Sequence, residues 1–126
     1  MITGVVSAAL EARISLRLQD RAGREQQVSA VIDTGFDGWL TLPPDLVGRL
    51  GLARLGRERG ILADGSVTFF HLHEATLIWD GSPRTIAVAV AVGAPLVGMG
   101  LLEGFELTIQ AVHGGRVRIE ALAPVA

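Results

Sequence analysis

Cysteine is absent from the 126 residues, which excludes a disulfide scaffold, a thiol nucleophile and a cysteine-ligated zinc site. Tyrosine is absent too, and aromatic residues amount to only 5%. The core must therefore be filled mostly by Val, Leu, Ile and Ala, a composition that favours strands. Lysine is missing as well: all eleven basic residues are arginine, scattered from Arg13 to Arg118 without a dense run, and the formal net charge is −2. Nucleic acid finds no electrostatic footprint in that pattern. One charge-free stretch, Thr85 to Leu102, has the 18 residues that mark the lower limit for crossing a bilayer. Gly93, Pro95, Gly98 and Gly100 break its second half, and Val88, Val90 and Val92 alternate with Ala in its first half, so it reads as a strand followed by a loop. No membrane partner is expected. After Met1-Ile2-Thr3-Gly4 no basic segment leads into an apolar one, so no secretory signal is read and a cytoplasmic location is expected.

What is present is enough apolar sequence to demand a core: 49% of residues are hydrophobic against 19% charged, and the length fits one domain, residues 1–126. From Glu11 to Gln19 apolar and polar residues alternate strictly, with Ala12, Ile14, Leu16 and Leu18 on one face. After a turn at Asp20-Arg21-Ala22-Gly23, Val28, Ala30 and Ile32 alternate back, which predicts a hairpin over 11–32. Trp39 to Leu42 predicts a short strand stopped by Pro43-Pro44, and Asp45 to Leu50 at most two helical turns closed by Gly51. Asp64-Gly65 and Asp80-Gly81 sit between strand-like runs, and this dipeptide supplies the positive φ angles of tight hairpins. Residues 84–92 predict another strand, Leu101 to Gly104 one helical turn, and Phe105 to Val112 a strand that turns at Gly114-Gly115 into Val117, Ile119 and Ala121. Short strands between turn signals, with little helix, predict a small closed or sandwiched β fold.

The segment richest in chemistry is Ala30-Val31-Ile32-Asp33-Thr34-Gly35-Phe36-Asp37-Gly38. A carboxylate where an apolar strand runs out into a glycine-containing turn is held by a buried scaffold while facing a cleft. Thr34 offers a hydroxyl to fix a neighbouring loop, and Gly35, without a Cβ, admits a close backbone. On local composition alone the triplet also reads as an Asx turn.

Ala30 to Gly35 resembles the active-site signature of aspartic proteases, and Pro95-Leu96-Val97-Gly98 resembles that family's second mark. The likeness is to the retropepsin-like proteases of clan AA, in their bacterial single-domain form. There, two apolar residues and a glycine follow the active-site motif by some sixty positions and pack beneath its loop. Between the two marks, Ile61-Leu62-Ala63-Asp64-Gly65-Ser66-Val67 resembles the tip of the family's flap hairpin. The resemblance implies an all-β fold, a small closed β-barrel of the acid-protease type with one or two short helical turns. It also implies an aspartic endopeptidase. Since the chain carries one such triplet, it implies a homodimer in which two copies of Asp33 meet at a two-fold axis and each Thr34 bonds to the partner loop. Two carboxylates that close share one proton: the ionised member takes a proton from a water between them, the water attacks the peptide carbonyl, and the protonated member polarises its oxygen. No metal or cofactor takes part, and the partners implied are a second copy of the chain and a peptide or protein substrate. On this resemblance Asp33, Thr34 and Gly35 are catalytic, Asp37, Ala63, Asp64 and Gly65 bind substrate, and Leu96, Val97 and Gly98 support the active site. Asp37 reads equally as a cap on the turn before Trp39. Phe36 stands where well-known members carry a small residue, and Met99-Gly100 replaces a charged residue that supports their dimer. A dimeric β-module that keeps the fold without catalysis is therefore the alternative.

Two rival motifs are incomplete. His71 and His73 lie two apart on a strand, and with Gly65 they imitate the first half of a cupin metal motif. The glutamate it needs would fall at Leu77 or Ile78, and its second half needs an asparagine, which the sequence lacks. Gly98-Met99-Gly100 after a valine-rich run suggests a dinucleotide loop but has neither the third glycine nor an adequate helix behind it.

Overall fold

The structure is a computed structural model and describes residues 1–123; the last three positions of the expected domain, 124–126, lie outside the described residues. Ten strands and two short helices follow one another as β1 (Ile2–Val6), β2 (Ala12–Gln19), β3 (Glu25–Ile32), β4 (Leu40–Leu42), α1 (Pro44–Leu50), β5 (Ala53–Ile61), β6 (Val67–Trp79), β7 (Ser82–Val90), β8 (Leu96–Val97), α2 (Met99–Leu102), β9 (Phe105–Ile109) and β10 (Arg116–Ala121). The strands form one mixed sheet in the order β5-β6-β7-β4-β8-β3-β2-β1-β10-β9, with a further pairing of β6 to β2. The fold is all-β.

The closure is narrower than a barrel. One edge of β2 pairs with β3 along its length, from Arg13↔Val31 to Gln19↔Glu25, while its other pairings are split between β1, at Ala12 to Ile14, and β6, at Arg17↔Ile78 and Leu18↔Leu77. Two residue pairs therefore close a ring of six strands, two of which, β4 and β8, are only three and two residues long. The expected closed barrel is a closed ring of pairings with a long hairpin, β5–β6, extending from one side and a β1-β10-β9 sheet from the other.

Alternation decides which side chains line the core. On β2, Ile14, Leu16 and Leu18 are buried as their spacing predicts, and Leu77, Trp79, Ile86, Val88, Val117 and Ile119 bury the inner faces of β6, β7 and β10. Pro44 opens α1 with its fixed φ, and Gly51 closes it in left-handed backbone at φ 65°, its N–H donating to the Val47 carbonyl at 3.1 Å. The run from Thr85 to Leu102 is β7, a loop, β8 and α2. Among the described residues no helix is long and apolar enough to cross a membrane.

Two local expectations are corrected, and two strands were not foreseen. β9 ends at Ile109 and not at Val112, because the next residues turn back onto β1: Gly114 N donates to the Val6 carbonyl and Val6 N to the Gly115 carbonyl, each at 2.9 Å. At the Asp64-Gly65 turn only Gly65 has positive φ, at 85°, whereas Asp80 and Gly81 both do, at 50° and 82°. The first turn is instead wider, with Leu62 N donating to the Ser66 carbonyl at 2.8 Å. The strands β1 and β8 had no signal in the alternation, since Ile2-Thr3-Gly4-Val5-Val6 does not alternate and β8 is two residues between Pro95 and Gly98.

Candidate active site

Strand β8 is threaded between the two strands that flank the Asp33 loop. It runs parallel to β3, with Val31↔Leu96 and Ile32↔Val97, and antiparallel to β4, with Leu40↔Val97 and Thr41↔Leu96. Asp33 N continues the first ladder by donating to the Val97 carbonyl at 2.9 Å. On the other side Leu96 N donates to the hydroxyl of Thr41 at 3.1 Å, which satisfies that buried threonine. The chain then crosses the foot of the loop through three more backbone bonds: Gly98 N to the Trp39 carbonyl at 3.0 Å, Met99 N to the Phe36 carbonyl at 2.8 Å and Gly100 N to the Gly38 carbonyl at 3.0 Å.

Within this frame Asp33 is half-buried, and its Oδ1 accepts the Gly35 N–H at 3.0 Å, so the Asx turn and the candidate catalytic position are the same structure. Thr34 and Gly35 are exposed at the apex. The loop can approach so closely because Gly98 has no side chain: a Cβ there would meet the Phe36 carbonyl at 2.8 Å and the Phe36 ring at 2.6 Å, besides the Gly38 carbonyl. Phe36, the departure from the family's small residue, lies over Gly38 and Gly98, and Trp39 lies over Gly100.

The structure thus brings Asp33, Thr34 and Gly35 together with Leu96, Val97 and Gly98. Asp37 stands apart from them, on the wall of a cleft of about 730 Å³ beneath the β5–β6 hairpin. Phe36, Trp39, Glu58, Phe70 and Leu72 share that wall, while Asp33 and the hairpin tip, Ala63, Asp64 and Gly65, do not line it. The arms of the hairpin were not singled out from the sequence as cleft residues. The signal was in the alternation of β6, where Phe70 and Leu72 line the cleft and Phe69 and His71 face the other side; Glu58, the register partner of Phe70, lines the cleft as well. On that outer side Phe69 is exposed beneath the Arg57 guanidinium, 4.9 Å from its ring centroid.

At the tip, the Asp64 Oδ1 accepts the Ser66 hydroxyl at 2.6 Å and the Ser66 N–H at 2.9 Å, and these bonds, the hydroxyl first, hold its carboxyl below the usual carboxylate range. His71 and His73 are engaged separately: His71 Nδ1 accepts from Arg54 Nη2 at 3.3 Å, and His73 Nδ1 donates to the Leu52 carbonyl at 3.0 Å. Among the described residues no three Asp, Glu or His side chains gather as a metal cluster.

No family model matches the chain, and no curated protein matches its sequence. Among solved structures, it is similar to the crystal structure of a retropepsin-like aspartic protease from Rickettsia conorii, with a TM-score of 0.58 and 14% sequence identity over 97% of this chain and 92% of that one. The fold is the retropepsin-like one; at that identity the likeness reaches the fold and no further.

Proposed function

We propose that residues 1–126 form one retropepsin-like domain that works as a homodimeric aspartic endopeptidase, with Asp33 of each protomer supplying one of two catalytic carboxylates. The observation that carries this reading is the position of Asp33: at the end of β3, bonded through its backbone to Val97, beside an exposed Thr34-Gly35 apex. A loop pinned by four backbone bonds to its underlying segment can hold a carboxylate to the tolerance that catalysis needs. In the dimer the ionised Asp33 takes a proton from a water lying between the pair, and the hydroxide attacks the carbonyl carbon of the scissile peptide. The protonated Asp33 gives its proton to the carbonyl oxygen. When the tetrahedral adduct collapses, a carboxyl group returns a proton to the leaving nitrogen. Each Thr34 hydroxyl is free at the apex to bond across the axis to the partner loop, and Asp37 faces the substrate main chain from the cleft wall. The β5–β6 hairpin covers that cleft, with Ala63, Asp64 and Gly65 at its tip closing over the peptide.

The test is hydrolysis of a mixed-sequence peptide library, read by mass spectrometry, by the parent and by Asp33→Asn. The expected result is cleavage by the parent and a loss of about a thousandfold or more in the variant, with dimerisation retained. Cleavage that survives Asp33→Asn, or that a chelator abolishes and zinc restores, overturns the mechanism. A stable dimer that cleaves nothing favours the non-catalytic β-module.

A further inference from the structure

The turn between β1 and β2 places a leucine where the backbone disfavours one. Leu10 adopts φ 59°, in the left-handed region that glycine and asparagine enter readily and a larger side chain enters at a cost. Three bonds close the turn around it: Leu10 N donates to the Ser7 carbonyl and Ser7 N to the Glu11 carbonyl, both at 2.9 Å, and Glu11 N donates to Ser7 Oγ at 3.2 Å. Yet the Leu10 side chain is 67% exposed, so the protomer's own core does not compensate the strain. It stands at the rim of a groove of about 380 Å³ lined by Val6, Ala12, Val31, Ile32 and Ile109, and Ile32 is the residue before Asp33. A strained, solvent-facing leucine and an apolar groove share one patch beside the candidate catalytic loop.

We propose that Leu10 is the anchor of self-association: it enters the Val31, Ile32 and Ile109 groove of a second copy while the partner's Leu10 enters this one. The proposal rests on the dimeric peptidase reading and names the surface that assembles its site, which one protomer leaves with a single Asp33. A two-fold contact requires a patch that carries both the projection and the recess, and this patch does. Its edge charges are Glu11 and Arg13, joined at 2.9 Å, with Arg13 Nη1 also donating to Ser29 at 3.1 Å. Each copy therefore brings both signs to the rim of the patch, apart from the Asp33 pair, whose shared proton removes one of its two charges. Covering Leu10 removes an exposed apolar side chain from water, and the bonded turn fixes the backbone that presents it.

Sedimentation of the parent, Leu10→Asn, Leu10→Gly and Leu55→Asn tests this. Asparagine and glycine both suit left-handed backbone, so the two Leu10 variants keep the parental far-ultraviolet spectrum and amide fingerprint of the sheet. Their dimer dissociation constants rise by about a hundredfold or more, because the two-fold axis repeats each loss of about tenfold. Leu55, 52% exposed on β5, leaves the dimer unchanged when replaced. A parent that dimerises while both Leu10 variants dimerise as tightly overturns the anchor and leaves the peptidase reading standing. Equal weakening by Leu55→Asn also overturns it. A parent that is monomeric at tens of micromolar, about the range in which a specific interface holds, overturns the dimeric peptidase reading and the anchor with it.

Discussion

Gly98 has no side chain, and the space a Cβ would need is already held by the Gly38 carbonyl and by the ring and carbonyl of Phe36. Part of that obstruction is backbone pinned by the bonds from Gly98, Met99 and Gly100, so it cannot move away cheaply. Gly98→Ala is therefore expected to destabilise the fold by about 1–3 kcal/mol, as overpacking does, and to displace the Asp33 loop. Urea unfolding measures the first effect and the amide shifts of Asp33 to Gly35 the second. Phe36→Ala in the same chain does not rescue it, because the Gly38 carbonyl stays in place; parental stability in Gly98→Ala alone would contradict the packing described. At this scale the sequence was informative where a side chain's absence or charge has a backbone consequence. Asp33 at the end of an apolar strand and Gly98 after two apolar residues were legible. That Phe36 lies across both glycines was not, because a ring's direction depends on the loop bonds that the chain makes only when β8 docks.

Among the elements, the β5–β6 hairpin has the most distinctive local chemistry at its tip. The Ser66 hydroxyl is the largest cause of the lowered Asp64 pKa, followed by the Ser66 N–H. A carboxyl depressed in the folded chain helps to order the turn above its unfolded pKa, and that help is lost as the pH falls through the depressed value. Ser66→Ala removes the first cause, so the Asp64 pKa moves up toward the ordinary carboxylate range and the tip loosens at a higher pH than in the parent. A carbon-detected NMR titration of Asp64 reads the shift directly, and an unchanged midpoint would show that the hydroxyl bond contributes little. β2 and β3 were read from the sequence by their alternation, and α1 by its closing Gly51, although it begins at Pro44, one residue before the expected Asp45. β8 was missed because two residues have no period, although Leu96 and Val97 were singled out as support for the loop. The tail of β9 was mistaken because the chain turns there so that Gly114 and Gly115 satisfy the backbone of Val6, nonlocal bonds that no window around Val112 contains. The hairpin arms Glu58, Phe70 and Leu72 were legible in principle, since the β5–β6 register places them on one face.

The whole molecule is shaped by where the sheet closes and where it stays open. Strand β1 lies between β2 and β10, so both of its edges are occupied within the protomer, and β9 and β5 are the end strands of the sheet order. In the groove next to the Asp33 loop, Leu10 and Ile109, at 67% and 39% exposure, are the large apolar side chains left open to solvent, and they are the ones the proposed association would cover. The overall all-β class was legible from composition and turn spacing, and the resemblance pointed to the retropepsin-like fold that the structure has. The distance between two Asp33 carboxylates was not legible, since one chain holds one copy and the axis of the proposed dimer would be a property of the surface. The most direct measurement is consequently the separation of the two Asp33 carboxylates in a crystal structure of the protein as it associates in solution. The account predicts a two-fold dimer with carboxylate oxygens of the two Asp33 residues within hydrogen-bond reach, about 2.6–3.2 Å, or joined through one water. A monomer, or a dimer whose Asp33 residues face away from each other, would contradict it.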